Sequence, residues 1–206
     1  MEIELKLALT PPEALERLLA NLPTPDAVIT QTNHYFADPL GLLARDRVMV
    51  RVRESVNEAG EGPQPVVLTI KKRAEVNNGL FIAQEDEYEL DPGAWQVVRD
   101  QGGDLRQAEV KPLEALCESI GVSMLFKVGA FRNTRRCIPF QGLMLEVDRT
   151  EFPGGRVDVE VEVETEDVER ARRVLMTFAD SHHLHLQPQT LGKYSRFVAI
   201  INDAAS

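Results

Sequence analysis

The chain has 206 residues, enough for one domain with a substantial core, which excludes a disulfide-stapled miniprotein. Hydrophobic residues at 43% and charged residues at 27% exclude both a chain disordered by composition and a membrane-embedded one. A net charge of −10 excludes a protein that grips nucleic acid through a general basic surface.

In chain order, Glu2, Glu4 and Lys6 alternate with Ile3, Leu5 and Leu7, the period of a strand. Thr10-Pro11-Pro12-Glu13 offers a cap, first-turn prolines and a first-turn acid, and Ala14, Leu15, Leu18 and Leu19 then predict a short amphipathic helix ending near Pro23. Strands are predicted over 28–36 and 48–54, the second with Val48, Val50 and Val52 opposite Arg51 and Arg53. Ser55–Pro65, rich in Gly, Pro, Glu and Gln, predicts a disordered loop joining strands rather than domains. Strands follow over 65–72 and 80–90. Asp91-Pro92 starts one helix, and 111–120, closed by Gly121, forms another. Residues 124–138, 143–152 and 156–164 predict three more strands, and Thr165 is the expected cap of a helix from 166 to about 182. These are about eight strands with helices at the flanks, in one domain over 1–206.

Several residues carry no chemistry on this reading. Cys117 and Cys137 lack CxxC spacing and are expected as buried free thiols. His182-His183-Leu184-His185 has no Cys or acid at zinc-like spacing and is expected as a frayed helix end. Trp95 is expected as a packing anchor, and the absence of a GxxxxGK loop excludes a P-loop mechanism. The chain has no signal-like leader and no apolar run near the roughly 18 residues of a membrane span, so the expectation is a cytoplasmic location with no membrane partner.

The informative feature is where the charges sit. Glu2/Glu4, Glu85/Glu87/Glu89, Glu146/Asp148 and Glu160/Glu162/Glu164 form acidic strand faces, and Arg51/Arg53, Lys71/Arg73 and Arg132/Arg135/Arg136 form basic ones. Wet outer faces of an antiparallel sheet would account for any single strand. One sign repeated along most strands is harder to explain by solubility, because like charges at i, i+2 repel. The alternative turns the barrel inside out, with apolar faces outward under helices and charged faces lining a lumen wide enough for a small ligand. Carboxylates there suit Mg²⁺ or Mn²⁺, and facing cations suit phosphate oxygens bridged by those ions.

Glu2-Ile3-Glu4-Leu5-Lys6 resembles the N-terminal ExExK signature of the CYTH superfamily, the triphosphate tunnel metalloenzymes. The resemblance continues through Tyr35-Phe36, Arg51-Val52-Arg53, Ile70-Lys71, Glu85-Asp86-Glu87, Phe131 to Arg135, Leu145 to Asp148, Val159 to Thr165 and Lys193-Tyr194, and is nearest to the plant-type inorganic tripolyphosphatases. It implies an α+β fold, an eight-stranded antiparallel closed barrel with a charged lumen. It also implies hydrolysis of inorganic triphosphate to diphosphate and phosphate with two Mg²⁺ or Mn²⁺ ions, by a monomer or homodimer that binds no nucleic acid. Thiamine triphosphate or a nucleoside triphosphate is the alternative substrate. Adenylate cyclisation and a non-catalytic polyphosphate-binding module are the further rivals.

By the same resemblance Glu2, Glu4, Glu85 and Lys193 are catalytic. Lys6, Arg51, Arg53, Lys71, Arg73, Arg135 and Lys193 clasp the triphosphate, and Glu2, Glu4, Glu146, Asp148, Glu160 and Glu162 hold metal. Two residues depart from the pattern: Ala37 where an Asp commonly follows Tyr-Phe, and Ile82 where an Arg commonly precedes the acidic run.

Overall fold

The charged and apolar alternation is drawn out, among the described residues, in nine strands: β1 (Glu2–Leu9), β2 (Ala27–Ala37), β3 (Val48–Asn57), β4 (Val66–Asn77), β5 (Leu80–Leu90), β6 (Phe126–Phe140), β7 (Leu143–Glu151), β8 (Val157–Glu164) and β9 (Leu186–Pro188). The structure, a computed structural model, describes residues 1–60 and 64–204, apart from the side chains of Arg73 and Gln101. Eight strands pair antiparallel in the order β5-β4-β3-β2-β6-β7-β8-β1, and β1 closes on β5 to complete the expected barrel. One edge of β1 pairs with β8 from Glu4↔Glu164 to Ala8↔Glu160. The other edge is shared, Glu2 to Leu5 pairing with β5 and Leu7 to Leu9 with β9.

Among the described residues six α-helices accompany the barrel: α1 (Leu15–Ala20), α2 (Leu42–Arg45), α3 (Pro92–Gln101), α4 (Lys111–Ile120), α5 (Val168–Ser181) and α6 (Lys193–Ala204). Apolar faces of the strands point outward and are buried beneath them. Leu5, Leu7, Val147, Val161 and Val163 pack with Leu18 of α1 and Leu175 and Phe178 of α5. Val50, Val52, Leu68 and Ile70 pack with Trp95 of α3 and Leu113 and Cys117 of α4. A third cluster joins Phe152, and Phe197 of α6, to Tyr35 and Phe131, which share the inward parity of Asn33 and Arg135. The strands therefore carry oil outside and charge inside along most of their length, with this aromatic cluster as the apolar part of the inner face.

Local details correct several sequence expectations. The 166–182 helix starts at Val168, capped by Asp167, whose carboxylate accepts the Arg170 N–H at 3.0 Å. Thr165 instead accepts the Asp167 N–H at 3.1 Å, so the charged residue takes the helix end where its charge suits the dipole. The helix expected up to Pro23 is a 3₁₀ turn, Pro12–Ala14, running into α1 and ending at Ala20. β3 continues into the first residues of the predicted loop, as far as Asn57, because Val56 and Asn57 still pair with Thr30 and Ile29. Residues 61–63 of that loop lie outside the described residues. The expected starts and stops at Asp91, which accepts the Ala94 N–H, and at left-handed Gly121 hold.

Cys117 is fully buried, whereas Cys137 is only half-buried on β6. Trp95 is a buried anchor as expected, and the His182 ring packs on Phe178 at the end of α5. Asp38, next to Ala37, turns its carboxylate onto the N–H groups of Leu40, Leu42 and Leu43 at 2.9–3.0 Å and caps α2. Ile82 pairs with outward-facing Ile3, so the hydrophobic residue there removes nothing from the lumen. Among the described residues no helix is long and apolar enough to cross a membrane.

β9 and α6 were not expected. α6 is held against the barrel by a close approach at Gly129, where β6 bulges opposite Tyr35 and Phe36. A Cβ on Gly129, whose φ is +154°, would lie 2.8 Å from Phe197 Cζ. Only glycine admits the Phe197 ring at this position.

Candidate functional site

The barrel encloses a cavity of about 790 Å³. Period 2 delivers its lining strand by strand: Glu2, Glu4 and Lys6 from β1, Gln31, Asn33 and Tyr35 from β2, and Arg51 and Arg53 from β3. Lys71 comes from β4, Glu85 and Glu87 from β5, Asn133 and Arg135 from β6, Glu162 and Glu164 from β8, and Lys193 and Tyr194 from the first turn of α6. The Arg73 side chain lies outside the described residues.

The predicted metal carboxylates fall into two groups. Asp148, Glu160 and Glu162 are buried and offer oxygens all within 4.8 Å of one another. Glu2 sits with Glu85 around Lys71, whose Nζ lies 2.6 Å from Glu2 and 2.8 Å from Glu85. Lys6 bridges the two groups, 2.6 Å from Glu4 and 2.8 Å from Glu162. Glu146 stands apart: it pairs with Arg135 but lines a second depression with Met1 and Glu166.

The cations are matched to these acids. Arg135 makes a bidentate contact with Asp148 at 2.7 and 2.9 Å and reaches Glu162 at 2.7 Å. Lys193 touches Asp148 at 2.8 Å, Glu162 at 2.7 Å, and Glu160. Arg51 reaches Glu85 at 3.1 Å. Arg53 differs: among the described residues it pairs with no carboxylate, and its Nε donates to Asn33 Oδ1 at 3.1 Å. Beside it a neutral network runs from Thr150 Oγ1 to Asn133 Oδ1 at 2.9 Å and from Asn133 Nδ2 to Gln31 Oε1 at 3.1 Å.

Proton affinities follow this geometry. Burial, with repulsion from Arg51 and Arg135, pushes the Arg53 guanidinium down to about 10. Burial would also lower Lys6 and Lys193, but the carboxylates around them outweigh it and raise both. Asp148 and Glu162 are held low in spite of burial, by Arg135 and Lys193 at the first and by Lys193, Lys6 and Arg135 at the second. Burial pushes the Glu2 carboxyl up to about 8, helped by its hydrogen bond to Glu85 and by the charge on Glu4. Glu85, which accepts that bond and faces Arg51 and Lys71, is held down to about 2 against its own burial. Two neighbouring carboxylates that share a proton are a site short of positive charge.

That shortage is one test of whether a divalent metal fits. The other is that Glu4 Oε2 and Glu160 Oε1 are buried without a hydrogen bond aligned on them, although ammonium groups lie close. A set of hard carboxylate oxygens with open lone pairs is what Mg²⁺ or Mn²⁺ takes. Glu2, Glu4 and Glu162 line the cavity and could hold such an ion there, with Asp148 and Glu160 behind them.

Of the predicted site residues, the structure brings Glu2, Glu4, Lys6, Arg51, Arg53, Lys71, Glu85, Arg135, Glu162 and Lys193 together on one lumen, whereas Glu146 is turned to the second depression. Asp148 and Glu160 reach the lumen only through Lys193 and Arg135. The basic cluster Arg132/Arg135/Arg136 is divided: Arg135 points inward while Arg132 is exposed, because alternation sends neighbours to opposite faces. Glu89 is exposed and outside the cavity, whereas Glu87 and Glu164 line it. The sequence reading missed Gln31, Asn33, Asn133 and Thr150, and also Arg196, which is buried and paired with Asp158 and Glu160 at 2.7 Å each. Continuing the parity of Tyr35 and Arg135 back along each strand would have found the first three.

No match was found among curated proteins. Among solved structures, the chain is similar to an adenylyl cyclase candidate from Hippeastrum whose description reports a dominant triphosphatase activity, with 28% identity, a TM-score of 0.85, and 97% of this chain and 96% of that one covered. It is similar in fold to an adenylate cyclase candidate from Bacillus halodurans, with 22% identity, a TM-score of 0.67 and coverage of 96% and 97%. It also shares its fold with the PH1819 protein of Pyrococcus horikoshii, with 16% identity, a TM-score of 0.56 and coverage of 92% and 95%. The family model described as the CYTH domain matches residues 1–190. With that match laid over a closed tunnel of facing acids and bases, the chain belongs to the CYTH domain family.

Proposed function

We propose that the tunnel hydrolyses a terminal phosphoanhydride bond of a triphosphate with a divalent metal, Mg²⁺ or Mn²⁺, and that inorganic triphosphate is the preferred substrate. The observation that carries this is Arg53, a half-buried guanidinium with no carboxylate partner among the described residues, on a wall with Arg51 and facing the carboxylates of β1 and β8. Such a cation is prepared for an external anion. The description of the Hippeastrum protein supports the same reading.

In this mechanism Arg51, Arg53 and Arg135 bind phosphate oxygens, where a planar fork matches the geometry better than an ammonium does. Lys6, Lys71 and Lys193 add point charges along the bound chain. Glu2, Glu4 and Glu162 would hold the metal, which supplies charge neutralisation on the phosphate oxygens. Glu85, kept ionised by Arg51 and Lys71, accepts a hydrogen bond from the attacking water and orients it. The water oxygen bonds to the terminal phosphorus, the anhydride P–O bond breaks, and phosphate and diphosphate leave. Tyr35 and Tyr194 stack on each other at 4.9 Å, and the apolar side chains of Val48, Met49, Val76 and Phe81 also line the cavity, where the base of a nucleoside triphosphate would have to rest.

The test is phosphate release from inorganic triphosphate, thiamine triphosphate and ATP, each with Mg²⁺, Mn²⁺, Ca²⁺ or EDTA, with cyclic AMP followed in the ATP arm. Metal-dependent release, fastest from inorganic triphosphate, is expected. Turnover that survives EDTA overturns the metal assignment, and a faster ATP or thiamine triphosphate reaction overturns the substrate preference.

A further inference from the structure

The reading of the tunnel as a metal and triphosphate site raises a question about its deepest carboxylates. Asp148, Glu160 and Glu162 converge within 4.8 Å, yet their common neighbour is already a cation, the Lys193 ammonium, in contact with all three. Of the three, only Glu162 lines the cavity, as does Lys193 itself. The ammonium therefore stands between the lumen and the other two carboxylates.

The acids around this point outnumber the cations that hold them. Lys6, Arg135, Lys193 and Arg196 pair with Glu4, Glu146, Asp148, Asp158, Glu160 and Glu162 in one connected network. The network has charge to spare for a dication, but the Lys193 ammonium occupies the point where the three carboxylates converge, so a dication takes that place only when the ammonium leaves it. Arg196 ties α6 to Asp158 and Glu160 at 2.7 Å each, and Phe197 is fully buried beside it. The helix is thus fixed, and the movable part is the flexible Lys193 side chain.

We propose that Lys193 is an internal counter-cation that a divalent metal displaces from Asp148, Glu160 and Glu162, and that an incoming triphosphate releases these carboxylates by drawing the ammonium onto its own oxygens. Free metal then binds weakly and metal with triphosphate binds cooperatively. The coupling is reciprocal, as linkage requires.

The experiment measures Mn²⁺ binding to the full chain by the electron paramagnetic resonance signal of free Mn²⁺, with no turnover involved. Wild type, Lys193→Met and the exposed control Lys111→Met are compared, each alone and with a non-hydrolysable imido analogue of triphosphate whose own Mn²⁺ affinity is measured separately. Lys193→Met should tighten Mn²⁺ binding in the absence of the analogue by about tenfold, within the usual range of site-to-site coupling. The analogue should tighten Mn²⁺ binding to wild type beyond its own chelation and do little for Lys193→Met. Lys193→Gln, neutral but still able to donate hydrogen bonds, carries the same test if the methionine variant does not fold. Equal or weaker Mn²⁺ binding by the Lys193 variants, or no gain with the analogue in wild type, overturns the proposal while leaving the tunnel's function standing. Absence of Mn²⁺ binding in every arm overturns both.

Discussion

Arg53 shares its wall with two other guanidiniums and, among the described residues, bonds to an amide oxygen and no carboxylate, so the charge it carries is held for something else. Burial first, and then repulsion from Arg51 and Arg135, depresses its proton affinity, and a bound anion would relieve that repulsion. Arg53→Ala should lower kcat/KM by about 10²-fold, the scale seen on removing one donor from a transition-state oxyanion. Exposed Arg173 on α5 is the control, and equal effects from the two changes would send the charged face of β3 back to solvent. Glu4→Gln keeps shape but removes a charge next to Lys6, and turnover should fall by at least about tenfold with the fold intact. Wild-type turnover at saturating Mg²⁺ would remove Glu4 from the metal group. Charge made most of these residues readable, since a run of one sign at period 2 stands out in any sequence. Gln31, Asn33, Asn133 and Thr150 share the same parity but look like any wet strand face, and only the closed barrel shows that they are buried. Arg132 was misplaced for the opposite reason, because adjacency in sequence looked like a cluster.

At the scale of elements, the barrel strands were legible and the plug was not. Each strand's period carries its own evidence, whereas β9 has three residues, too few to show one. α6 does carry a helical stripe in Tyr194, Phe197, Val198 and Ile201. Its partners, Tyr35, Phe131 and Phe152, are distant in the chain and could not be read from that stripe. The seat of α6 depends on Gly129. Gly129→Ala would set a methyl 2.8 Å from Phe197 Cζ, forcing the ring and its helix to shift. Overpacking of this kind costs about 1–3 kcal/mol. Because Lys193 and Tyr194 ride on the same helix, substrate affinity should fall along with stability. Urea unfolding beside a KM measurement checks this, and a stability loss with unchanged KM would show that α6 does not position the site.

For the whole molecule, the opposed walls predict a thermal signature. Ligands that bind only the folded chain stabilise it, by about 2.7 kcal/mol at 100 times the dissociation constant. For a domain of this length that raises the melting temperature by roughly 5–10 °C. Triphosphate with Ca²⁺, or an analogue with Mg²⁺, should give that rise, and inorganic phosphate at matched ionic strength should give much less, because it cannot span Arg53 and the β1 carboxylates together. A rise no larger than that from matched salt would sink the tunnel reading.

The way β1 is shared among β5, β8 and β9 also bears on how a ribosome delivers this protein. Strands β2 to β5 form a consecutive meander and can pair as they emerge, while β6 to β8 form a second one much later. Glu4 and Lys6 are made long before β8 but find their β8 partners, Glu164 and Glu162, only after residues 157–164 appear. At about 5–20 residues per second that is a delay of roughly 8–30 s. The first meander brings Arg51, Arg53 and Lys71 to the lumen together with Glu85 and Glu87, and the second brings Arg135 together with Asp148, Glu160 and Glu162. Each half of the nascent chain therefore carries both signs of its own, and the pair of Lys6 with Glu162, which ties the first strand to the last of the barrel, is among the last contacts of the tunnel to form.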